Sequence, residues 1–141
     1  MHTPAPAEAL PIEANLALGI IAFHLVVNLA HGAAHLHYEI PMEMWQQVFI
    51  VVVIFIAPLV AGGLLLGRKL RAGAGLLLAS MAASLVFGVY FHFLLIGPDH
   101  ISTVNFYGWG MLFFATAFFL AAVEAWGVTV ALRLLRASRH H

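Results

Sequence analysis

Residues 20–37 read IIAFHLVVNLAHGAAHLH, a stretch apolar enough to enter a hydrocarbon core that nevertheless carries four histidines and an asparagine. On an α-helix, positions i, i+4, i+7 and i+11 share one face, so His24, Asn28, His31 and His35 form a single polar stripe. Isoleucine, leucine, valine and alanine cover the other faces. Turning such a stripe toward lipid is costly, so the sequence predicts that this helix faces it inward, against other helices. His37 falls off the stripe and is expected at the interface.

The rest of the chain supplies those helices. Hydrophobic residues make up 63% of its 141 residues and charged residues 9%, and the mean hydropathy is +0.99, far from the balance of a soluble domain. Four apolar stretches, at 15–37, 45–67, 72–97 and 105–132, each reach the about 20 residues that a membrane-crossing helix needs. They are continuous apolar runs, without the alternation that marks barrel strands. The expected fold is therefore an all-α integral membrane protein, a bundle of four transmembrane helices forming one domain over 15–132.

All six fixed positive charges fall on one side of that topology: Arg68, Lys69 and Arg71 in the second loop, and Arg133, Arg136 and Arg139 in the tail. By the positive-inside rule both termini are cytoplasmic and the first and third loops face out. Residues 1–14, with Pro4, Pro6 and Pro11 and no basic start, read as a cytoplasmic N-terminal tail and not a cleavable signal. Residues 133–141 form a basic cytoplasmic tail, in which His140 and His141 read as part of a tag. The expected location is a bacterial inner membrane, with the histidines near its outer side.

The third apolar stretch carries a matching seam. Ser80, Ser84, Gly88 and His92 recur every four residues, so small side chains let a neighbour approach while His92 projects from the same line. The first and third helices run in the same direction, which places His31 and His92 at similar depth. The outer loops add His100, Glu39, Glu43 and Asp99 as further ligands or as partners that fix an imidazole tautomer. Met42 and Met44 offer thioethers suited to a soft ion.

With no cysteine in the chain, disulfides, thiolate zinc sites, iron–sulfur clusters and covalently attached haem are excluded. Imidazole, carboxylate and thioether remain. His31 and His35 have the i, i+4 spacing that lets two imidazoles reach one ion, without the glutamate that marks a zinc-protease helix. The leading expectation is a transition-metal site formed by His31, His35 and His92, with His24 and His100 as further ligands and Asn28, Glu39, Asp99, Met42 and Met44 as auxiliary groups. Copper, then iron, then zinc is the expected order, and metal handling or redox chemistry the expected role.

Two other readings compete. A b-type haem electron carrier would use His92 with His31 or His24, helped by the space at Gly32 and Gly88, and would exchange electrons with a quinone. A quinone or lipid pocket would then lie between Trp109, Phe113 and the histidine face. Alternatively, the chain is an accessory subunit of a larger membrane complex or a homo-oligomer, with structural histidines. Glu124, at a depth comparable to Ser80, is either part of a proton route or an anchor for Arg68, Lys69 or Arg71. Pro58 is expected to kink the second helix. Nucleic acid is excluded as a partner, because the basic residues are few and adjoin the membrane.

Overall fold

The computed structural model describes residues 9–138; Met1–Glu8, most of the expected N-terminal tail, and Arg139, His140 and His141 lie outside the described residues. Four helices are each long and apolar enough to cross a membrane: α1 (Ile12–His37), α2 (Met44–Leu66), α3 (Leu70–Leu94) and α4 (Trp109–Ala137). Among the described residues there is no strand. The outward faces carry large apolar side chains such as Phe23, Val26, Leu29, Val86 and Phe119, the surface that lipid requires.

Short loops make consecutive helices antiparallel neighbours. α1 packs along α4, α4 along α3, and α3 along α2, closing a ring in which α1 and α3 lie on a diagonal. α1 and α3 are therefore not packed side by side, as side-by-side seams would require. Their stripes still meet, because both face the bundle axis.

The two ends of the bundle differ. At the basic end, Ala17, Ile20, Leu65, Ala74, Leu77, Met81, Val130 and Leu134 pack into one buried core. Glycines bring the helices close: a Cβ on Gly73 would stand 2.8 Å from Leu65 Cδ2 and 3.0 Å from the Ala61 carbonyl oxygen, whereas one on Gly75 would meet nothing within 4 Å. Gly73→Val is thus expected to cost about 1–3 kcal/mol of stability and Gly75→Val much less, measurable by thermal unfolding in detergent followed by circular dichroism. At the histidine end the packing opens. α1 contacts the Ala57–Leu66 half of α2 but barely touches the half that precedes it.

Several boundaries differ from those the sequence suggested. α1 starts three residues earlier, at Ile12 directly after Pro11. α3 ends at Leu94, and Leu95 turns extended, three residues ahead of Pro98. α4 begins at Trp109, because Gly108 adopts a positive φ of 52° and the Asn105 carbonyl oxygen occupies the place a Cβ on Gly110 would take. It then runs on to Ala137, past the expected end at 132. The irregularity expected at Pro58 takes the form of a π-wound segment, Ile50–Ile56, directly before it; widened turns absorb the hydrogen bond that proline cannot make. A second π-wound segment, Tyr90–Leu94, carries His92.

Candidate metal centre

Every residue of the two stripes is turned inward: His24 is 1% exposed, His31 6%, His35 8% and His92 6%, with Asn28, Ser80 and Ser84 also buried. His31 and His35 rise from adjacent turns of α1, and the π-wound end of α3 brings His92 across the diagonal to them. His31 Nε2 lies 3.1 Å from His35 Nε2 and 3.2 Å from His92 Nε2. The three residues offer ring nitrogens all within 4.8 Å of one another. The Phe113 ring stacks on His31 at 4.9 Å and walls the cluster on the α4 side.

The partners of the other ring nitrogens fix the tautomers. Thr116 Oγ1 donates its proton to the α4 backbone, with the Leu112 carbonyl at 2.6 Å and that of Phe113 at 3.1 Å. It must therefore accept from His31 Nδ1, 2.8 Å away, so His31 carries its proton on Nδ1. His92 Nδ1 faces only acceptors, the Asp99 carbonyl oxygen at 3.0 Å and Asp99 Oδ1 at 3.1 Å, so it too is the protonated nitrogen. With both rings neutral, Nε2 of His31 and Nε2 of His92 then present lone pairs to each other at 3.2 Å. Two lone pairs at that distance repel unless a cation lies between them.

Asp99 completes the outer side. Its Oδ1 also sits 3.1 Å from His35 Nε2, although neither imidazole contact to Oδ1 is a straight hydrogen bond. Burial alone would raise this carboxyl, but the His35 and His92 imidazoles beside it outweigh that and hold it well below the usual carboxylate range. A charged carboxylate behind an imidazole orients it and makes it a better ligand.

The other candidates lie elsewhere. His24 Nε2–H donates to Glu124 Oε1 at 3.2 Å, a pair buried deeper along the stripe; Glu124 thus pairs with His24 and not with Arg68, Lys69 or Arg71. Asn28 Nδ2 donates to the His24 carbonyl. His100 is spent on its own turn, with Ser102 Oγ 2.7 Å from its Nδ1. Met44 is exposed, and Glu43 starts α2 in a reciprocal capping arrangement with Gln46. Met42 and Glu39 line a cavity that the cluster also borders. His37 is exposed and stacks on Trp109 at 4.9 Å. Trp109 and Phe113 stack on His37 and His31 and do not line this cavity, which lies among residues of all four helices.

Thr116 was not singled out in the sequence, though a signal was present. It precedes Glu124 by two helical repeats of four, on the same inward face of α4. Removing its acceptor with Thr116→Val is expected to weaken metal binding about 10–100-fold without unfolding the bundle, measurable by competition with a chromophoric chelator. No known family, curated protein or solved structure matches the chain.

Proposed function

We propose that this is a membrane protein that holds a transition-metal ion through Nε2 of His31, His35 and His92, for metal handling or redox chemistry at the outer side of a bacterial inner membrane. One observation carries the reading: two tautomer-fixed imidazoles aim lone pairs at each other at 3.2 Å, with a third imidazole nitrogen at 3.1 Å. Nitrogens that share one ion at about 2.0–2.1 Å in tetrahedral geometry stand roughly 3.3 Å apart, close to the two spacings from His31, and His35 and His92 lie within 4.8 Å of each other. Three neutral imidazoles with no thiolate favour copper by intrinsic affinity, then iron or zinc. Three protein ligands leave a coordination position open for a substrate or an exchanging ligand.

The spacing favours a directly held ion over a bis-histidine haem. Axial nitrogens on a haem iron stand about 4 Å apart with the macrocycle between them, whereas here His35 and Phe113 crowd the same space. The positive-inside rule, applied to the basic residues, supports a topology with both termini in the cytoplasm and the cluster outside.

The test is metal loading. Protein purified in mild detergent, stripped with chelator and exposed singly to copper, iron and zinc is expected to retain about one ion per chain after desalting, without a Soret band. Failure to retain any of the three would mean that a shared proton bridges the imidazoles, and would favour the accessory-subunit reading.

A further inference from the structure

The opening between α1 and the outer half of α2 leads into a cavity of about 540 Å³, within the range of sites for small organic ligands. Its walls are apolar, from Ile54, Phe55, Phe87 and Leu120, and on the α1 side it is lined by Leu29, Gly32 and Leu36, of which Leu29 and Leu36 are exposed on the outer surface of the bundle. That apolar flank suits entry of an apolar molecule from a bilayer, while exposed Glu39 marks the outer end of the same cavity.

Inside, the lining carries buried polar atoms that the protein leaves without a partner. Ser80 Oγ bonds back to the Leu77 carbonyl, but Ser84 Oγ, one helical turn on and lining the cavity, has no hydrogen-bond partner. His35 Nδ1 is also unpartnered; when Nε2 serves the cluster, Nδ1 carries the proton. Ser84 Oγ is a donor whatever the cluster holds, His35 Nδ1 is one when Nε2 ligates the ion, and a buried donor without an acceptor is costly. Of the carboxylates along the lining, Glu124 has His24 beside it, Asp99 has His35 and His92, and Glu39 is exposed; no lysine or arginine lines the cavity. What the site lacks is a neutral acceptor oxygen on an apolar body.

We infer that this cavity binds a membrane-dissolved molecule with an alkyl tail and a neutral oxygenated head, taken in through the α1/α2 seam, the head accepting from Ser84 Oγ beside the histidine cluster. Quinones and long-chain alcohols share that chemistry. The Ser84 contact stands independently of the metal reading, while the His35 contact rests on it. Glu124 Oε2 and His92 Cδ2 both lie 3.9 Å from where a Cβ on Gly88 would stand, so a leucine there projects into the space the head would occupy. A side chain at Gly32 meets nothing within 4 Å at its Cβ and can obstruct the mouth without strain.

The experiment is native mass spectrometry of the full-length protein in detergent, titrated with a decyl-tailed benzoquinone or with 1-dodecanol, with ion content measured on the same samples. The expected result is saturable uptake of one molecule per chain, weakened about five- to tenfold by Ser84→Ala and abolished by both Gly88→Leu and Gly32→Phe. Preference for the quinone, or equal uptake of the two probes, identifies the source of the head and supports the site in either case. No saturable uptake of either probe, or uptake unchanged in both Gly88→Leu and Gly32→Phe, overturns it. Ligand uptake without a bound ion would contradict the metal reading alone, and an ion without ligand uptake this inference alone.

Discussion

His31→Ala is expected to release the metal ion, with affinity falling more than the about 100-fold that loss of an outer hydrogen-bond partner would cause. His31 is the centre of the cluster: its Nε2 is the nitrogen that approaches both His35 and His92, and its Nδ1 is anchored by Thr116. Removing it leaves two imidazoles whose link ran through it. His35→Ala and His92→Ala are expected to follow. His37→Ala and His100→Ala are not, because His37 stacks on Trp109 at the surface and His100 holds a loop turn. Elemental analysis and chelator competition on the five variants read this directly, with helical circular dichroism to confirm folding. Equal retention in His31→Ala and His37→Ala would refute the assignment of ligands.

The second large effect concerns stability. Glu124→Ala is expected to destabilise the bundle by about 3 kcal/mol, because it strands the buried His24 imidazole among apolar neighbours. The pair sits at 3.2 Å with both side chains almost fully enclosed. The double variant His24→Leu/Glu124→Leu should recover most of the loss, since replacing both members of a buried pair by apolar groups removes the unmet partner. Unfolding in a denaturing detergent, compared across the two single variants and the double variant, gives the coupling. If Glu124→Ala were as stable as the parent, the pair would contribute nothing to the fold.

The polar stripe of α1 was legible because helical geometry maps spacing onto one face, and the cost of facing lipid then tells which way that face turns. The same arithmetic located the α3 seam. Matching His31 with His92 rested on the two helices running in the same direction, and the ring places them on a diagonal. It succeeded because both stripes aim at the axis.

What the sequence hid was local. The π-wound turn that carries His92 has no signature in hydropathy, and neither does the return of the 97–100 loop that sets Asp99 against His35 and His92. Glu43 read as a ligand because it is acidic and near the cluster, but the start of α2 consumes it as a cap. Met44 had the right chemistry on the wrong side of its helix and is exposed. The cavity beside Ser84 had no marker in the sequence, because aromatic residues such as Trp109 and Phe113 mark pockets and packing alike. Only the contacts show that Phe113 is stacked against His31 and that the outer half of α2 stands off from α1.

X-ray absorption fine structure of the copper-loaded protein tests the central claim most directly. The expected spectrum has about three imidazole nitrogens near 2.0 Å around each copper, falling to two in His92→Ala. A shell of water or carboxylate oxygen without imidazole scattering, or a spectrum unchanged in His92→Ala, would contradict a site built from His31, His35 and His92.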